Sequence, residues 1–244
     1  MTEQPRPTVA MLLYPGVTPL DVVAPHAALA PHTDMHLVWK TLDPVVSDVE
    51  MALTPTTTFD ACPTDVDVLF VPGGRDQADA ASDEEVLQFL ADRGHARYIT
   101  SVCGGGLILA AAGLLNGYRA ATHWTGRHTL EVLGAVNVNE RVVTDRNRIT
   151  GGGVTAGLDF GLVLLAELLG EPVARATQLM LEYDPQPPFD SGSPEKAGPE
   201  LTAMVRQLTS ATSDAMDAVA ARLPARGWAA VARHAAASSA STLR

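Results

Sequence analysis

Two cysteines, Cys62 and Cys103, are the whole thiol inventory of a 244-residue sequence. At most one disulfide could form, and a chain of this length with 46% hydrophobic content buries enough core to need no staple, so both read as free thiols. Basic residues are also scarce: 17 Lys and Arg against 28 Asp and Glu leave a formal net charge of −11. That balance works against nucleic acid and anionic lipid as partners. No uninterrupted apolar run approaches the roughly 18 residues of a membrane span. The opening MTEQPRPTVAMLLYPGV lacks the basic-then-apolar pattern of a secretory leader. The expected location is therefore the cytoplasm, with no membrane partner. The seven histidines form no compact ligand motif, and neither G-x-G-x-x-G nor G-x-x-x-x-G-K-[ST] occurs, so no metal and no nucleotide cofactor is expected.

What is present is a series of short apolar runs, each stopped by a turn. Thr8 to Tyr14 reads as a buried strand ended by Pro15-Gly16, and a helix from about Leu20 to Ala30 leads to a second strand at Met35 to Leu42. Asp67 to Pro72 is a further buried strand, followed by Gly73-Gly74 and a helix from about Asp83 to Gly94. A strand ending near Val102 runs into Cys103 and a glycine-led helix. Residues Arg141–Thr144 and Arg148–Thr150 flank Asp145-Arg146-Asn147 as a hairpin, and Gly151-Gly152-Gly153 opens another helix. From Glu200 to Leu223, apolar residues at helical spacing predict one amphipathic helix with a buried face. The pattern is α/β with a parallel sheet, expected as a single domain over residues 1–223, with an Ala/Ser-rich tail over 224–244.

Cys103 stands at a strand-to-helix turn, where helix amides and dipole favour thiolate over thiol, and Gly104, Gly105 and Gly106 clear side-chain bulk from around the sulfur. The alternative is a buried structural cysteine on a tight turn. In an open parallel sheet, loops at the carboxyl ends of strands converge on one crevice. Asp21 and Gly74 therefore belong with Cys103, the first as a proton shuttle or a helix-end charge, the second as an amide donor near Gly104. His123 is either a partner of the cysteine or substrate, or a satisfied structural histidine, and capping alone would explain Thr155. Cys62, in FDACPTD, lacks such a setting and reads as a bystander.

The strings YPGVTPLD, VPGG, ITSVCGGGLILAAAGLLNGYRAATHW and TGGGVTAGLDFGL, in this order, resemble the DJ-1/PfpI superfamily over roughly residues 8 to 183. Within it, Asp21, the stretch Ala111 to Trp124 and the segment Leu181 to Phe189 resemble the isonitrile hydratase branch. The resemblance implies a flavodoxin-like three-layer sandwich with a mostly parallel central sheet, and a homodimer. It also implies a cysteine-dependent lyase in which Cys103 attacks and Asp21 moves protons, turning a small-molecule isonitrile into an N-substituted formamide. One departure stands out: members of that branch typically carry threonine directly after the nucleophile, where this sequence has Gly104. The missing hydroxyl implies a slower reaction, an altered substrate, or its replacement by another group such as a bound water or Thr155, and Ile108, Trp124 and Val154 are expected to form the apolar wall. The rival readings are a glyoxalase-like enzyme using the same cysteine and a non-catalytic ligand or redox sensor. The residues after 183, one amphipathic helix and an Ala/Ser-rich tail without a basic recognition segment, weigh against a DNA-binding regulator.

Overall fold

The computed structural model describes residues 5–223. Its first half runs β1 (Thr8–Leu12), α1 (Pro19–Leu29), β2 (Asp34–Trp39), then the two-residue strands β3 (Val45–Val46), β4 (Ala52–Leu53) and β5 (Thr57–Thr58), then β6 (Val68–Val71). There follow α2 (Gln77–Ala80), α3 (Glu84–Asp92), β7 (Tyr98–Ser101), α4 (Gly105–Ala111), β8 (Arg119–Ala120), α5 (Arg127–Val132) and β9 (Val136–Asn137). The hairpin β10 (Val142–Asp145) and β11 (Arg148–Gly151) precedes α6 (Ala156–Leu169), α7 (Glu171–Met180), α8 (Pro194–Ala197), α9 (Pro199–Leu208) and α10 (Ser210–Ala220).

Short apolar runs without alternation suit strands covered on both faces, and β6 (VLFV) and β11 (RITG) are buried at every position. They lie in a seven-stranded sheet of order β10-β11-β7-β6-β1-β2-β5, in which every pair is parallel except β10 with β11. Helices α1, α6 and α7 pack together as one group, and α2, α3, α4, α5 and α10 as another. The result is the expected three-layer α/β sandwich with a mostly parallel sheet. Phe70 on β6 meets Phe160 of α6 with ring centroids 5.3 Å apart. The hairpin forms as read, with Arg146 of its turn at φ 56°.

The chain passes from β1 to β2 on one side and returns to β6 on the other. This reversal opens a crevice between the loops that leave β1 and β6. Register alignment of Met11 with Phe70, and of Val71 with Ser101, sets the ends of β1, β6 and β7 on one edge.

The long C-terminal helix expected over 200–223 is instead two helices meeting at Thr209, whose φ of −102° and ψ of 6° close α9 and open α10. The Thr209 hydroxyl donates to the Val205 carbonyl at 2.9 Å, the local competition with backbone bonding that makes threonine a poor helix interior. Only α10 buries a face, through Met216, Val219 and Ala220, while α9 has no fully buried residue. The Ala/Ser-rich segment 224–244 lies outside the described residues. Among the described residues no helix is long and apolar enough to cross a membrane.

Candidate active site

Cys103 occupies the turn between β7 and α4 in the left-handed region, at φ 53°. For a residue with a Cβ that conformation costs about 1 kcal/mol and needs outside support. The support is on both sides of the residue. Its N–H donates to the Gly152 carbonyl at 2.7 Å, and its carbonyl accepts from the Thr122 hydroxyl at 2.8 Å. A sharp strand-to-helix turn of this kind sets its side chain at the edge of the sheet, where Cys103 lines a cavity.

Asp21, in the first turn of α1, is fully buried. Its Oδ2 accepts the Gly73 N–H at 2.9 Å, and its Oδ1 has no protein partner. Its carboxyl stands close enough to the Cys103 thiol for each to act on the other's protonation. The loops close this tightly because residue 73 is glycine: a Cβ there would lie 2.4 Å from Gly104 N and 2.8 Å from Asp21 Oδ2.

Burial pushes the Asp21 carboxyl up to about 7, the nearby Asp48 adds to the rise, and the bonds from the Gly73 amide and Cys103 oppose it. Burial also drives the Cys103 thiol well above its ordinary range, followed by the charge of Asp21, with the Gly104 amide pulling the other way. The thiolate expected from the helix end is thus corrected. Desolvation and a neighbouring carboxyl outweigh the amides of the short α4, so the resting cysteine is held as the thiol.

The pair opens into a cavity of about 270 Å³ whose wall includes Cys103, Gly74, Gly104 and His123. Asp21 is not part of that wall. Burial and the Arg127 charge hold His123 below its ordinary value, favouring the neutral ring. Its Nδ1 lies 2.8 Å from the Thr125 hydroxyl, and the Thr125 amide donates to it at 3.5 Å. Thr155 is not brought to the cavity. It is exposed, and its carbonyl accepts from Arg141 at 2.9 Å, within a cluster where Asp159 also bonds Arg141 and Tyr183.

Of the expected apolar wall only Val154 lines this cavity. Ile108 is fully buried in the core, and Trp124 faces a separate hollow with Ser193 and Leu201. Leu107 and Leu208 provide the apolar surface instead. Sequence reading missed Gln77, Leu208 and Thr212, which α2 and the α9–α10 corner bring to the wall. The only signal for Gln77 was its place three residues after Gly74, where a polar side chain looks like any turn residue. A larger hollow of about 480 Å³ lies beside Lys40, Phe59 and Arg93 and holds no nucleophile, since Lys40 is paired with Asp83 and Glu85. Cys62 is buried apart from the pair, its carbonyl accepting from Arg93 at 2.7 Å.

Comparison with known proteins addresses the same assembly. An isonitrile hydratase of Pseudomonas putida is 51% identical over 192 residues, 78% of this chain and 84% of that enzyme. The crystal structure of a THiJ/PfpI family protein from Pseudomonas syringae superposes with a TM-score of 0.86 at 51% identity, covering 88% of this chain and 90% of that one. The transcriptional regulator GbdR of Pseudomonas aeruginosa is 32% identical over 136 residues, 55% of this chain but only 37% of the regulator. Residues 7–167 match the model of the DJ-1/PfpI family. With that match spanning every strand of the central sheet and both members of the buried pair, the chain belongs to the DJ-1/PfpI family.

Proposed function

We propose that the protein is an isonitrile hydratase, a cysteine-dependent lyase that adds water to R–NC and releases R–NH–CHO. The observation that carries this reading is the buried Cys103–Asp21 pair, a thiol beside a carboxyl that burial raises to about 7 and that keeps one oxygen without a protein partner. Identity of 51% to the Pseudomonas putida enzyme supports the same substrate class.

The chemistry needs a group that takes a proton from sulfur and returns it to carbon. Asp21 as carboxylate accepts the S–H proton while the sulfur bonds the terminal carbon of the isonitrile. The same carboxyl then delivers that proton to the carbon, giving a thioimidate, S–CH=N–R, and is a carboxylate again. Water adds to this carbon, one of its protons passing through Asp21 to nitrogen. Collapse of the S–CH(OH)–NH–R adduct breaks the C–S bond, and the hydroxyl proton returns to the thiol as formamide leaves. The Gly74 loop and neutral His123 flank the reacting atoms, and Leu107, Val154 and Leu208 suit an apolar R group.

The same proposal takes residues 1–223 as one domain, the cytoplasm as its location and a homodimer as its assembled form, without nucleic acid or membrane as partner. The test is conversion of cyclohexyl isocyanide to N-cyclohexylformamide, followed by mass spectrometry for wild type, Cys103→Ala and Asp21→Asn. Wild-type turnover with loss in both variants is expected. A folded wild type inert toward several isonitriles would sink the reading, and turnover of methylglyoxal by that same protein would move it to a glyoxalase-like enzyme.

A further inference from the structure

Gly104, next to the nucleophile, has no room for a side chain. A Cβ built on it would lie 1.4 Å from Gln77 Oε1, 2.6 Å from Gln77 Cδ and 3.3 Å from Nε2. The volume that a side chain at position 104 would fill already holds a carboxamide. Gln77 is only 8% exposed, and it shares the cavity wall with Cys103 and Gly104.

Its backbone is fixed, the N–H donating to the Gly74 carbonyl at 3.4 Å and the carbonyl accepting from Ala81 at 2.9 Å, while Ala78 and Ala80 anchor α2 in the core. Among the described residues, no protein group hydrogen-bonds the carboxamide itself. Neither carboxamide atom is sealed from solvent, so its donors and acceptor face the cavity and are free to bond what enters it. Thr155, the residue expected to supply polar function here, bonds Arg141 outside the cavity.

We propose that Gln77 orients the hydrating water beside Cys103, its oxygen accepting from that water and its amide nitrogen donating to the substrate nitrogen or to the oxygen that forms. An amide sets two donors and an acceptor on separate atoms of one planar frame, where a hydroxyl has one rotating donor and accepts on the same oxygen. The inference rests on the hydratase reading and assigns Gln77 to the second half of the reaction, after the S–C bond has formed.

Gln77→Met keeps length and shape but removes the hydrogen-bonding groups. It is expected to lower kcat by roughly tenfold or more, the loss of one well-aimed hydrogen bond. Because hydration is slowed while addition is not, Cys103 accumulates a covalent adduct, visible in the intact mass as protein plus one isonitrile. Gln77→Ala should behave alike, and the double variant Gln77→Ala, Gly104→Thr, which sets a hydroxyl in the vacated volume, should recover part of the lost kcat. Gly104→Thr alone collides with Gln77 and is expected to lose activity and stability. If Gln77→Met or Gln77→Ala turns over at the wild-type rate with no adduct, the inference fails while the hydratase reading stands. If the wild type itself hydrates no isonitrile, the reading fails and takes the inference with it.

Discussion

At the scale of single residues, the proposed reaction makes the thiol of Cys103 and the carboxyl of Asp21 the groups that set the rate, and burial makes Asp21 a term in stability as well. Asp21 is raised from 3.8 to about 7, chiefly by burial. In the proposed reaction, addition begins with Asp21 as carboxylate and Cys103 as thiol, the one-proton state of the pair. Below about 7 both groups are protonated and the base is lost, so kcat/KM is expected to rise through about pH 7 and hold into the alkaline range, where the thiol remains protonated. The same shift acts on folding in the opposite direction. A group whose folded value lies above its unfolded value contributes stability below the unfolded value and loses it as pH rises through the folded one. The window runs from about pH 4 to about pH 7, and a rise of this size corresponds to on the order of 4 kcal/mol. Asp21→Asn, nearly isosteric and never charged, should therefore be inactive yet melt at a higher temperature than wild type at pH 8.5, with no such advantage at pH 3.5. Thermal unfolding of the two proteins at both values checks this, and equal melting temperatures at pH 8.5 would mean that Asp21 is not held in a desolvated site.

At the scale of elements, the corner between α9 and α10 links the core to the cavity. Leu208, Thr209 and Thr212 line the wall, and the anchor beneath them is the fully buried Met216. The Thr129 hydroxyl also donates to Asp217, tying α10 to α5. Met216→Ala should cost about 2–5 kcal/mol of stability through the cavity it leaves. It should also raise KM more than it lowers kcat, because it loosens the apolar wall and leaves the thiol–carboxyl pair in place. Denaturant unfolding and steady-state kinetics read the two effects separately. The elements at the edge that carries the pair were legible in sequence for a physical reason: β1 and β6 are uninterrupted apolar runs ended by Pro15 and Pro72, and β7 is a short β-prone run stopped just after Val102 by Cys103 and its glycines. The α9–α10 pair was not, because apolar spacing continues straight through Thr209 while the break comes from its side chain bonding Val205. Gln77 escaped for a related reason. Its role depends on the absence of a side chain at Gly104, a relation between loops 27 positions apart that no local pattern carries.

At the scale of the whole molecule, two tendencies compete. Each chain carries a formal charge of −11, so a homodimer brings together two strongly acidic bodies, and their repulsion opposes association. Apolar area has to supply the attraction, and the described surface retains it: Leu20 and Val23 of α1 are 43% and 42% exposed, and Leu201 and Met204 of α9 are 38% and 53% exposed. Repulsion between separated surface charges is screened over roughly 8–10 Å at physiological salt, whereas apolar burial is insensitive to such screening. The proposed dimer should therefore tighten as salt rises, the reverse of an assembly held by ion pairs. Light scattering on dilution series in low salt and at 0.5 M sodium chloride measures this directly. The expected result is a mass about twice 25.7 kDa in both, with dissociation on dilution setting in earlier at low salt. A dimer that weakens with salt would assign its interface to charged pairs, and a monomer at every concentration would remove the homodimer from the proposal. In that last case catalysis is unaffected in principle, because Cys103, Asp21 and Gln77 all come from one chain and meet at the edge where its own strands end.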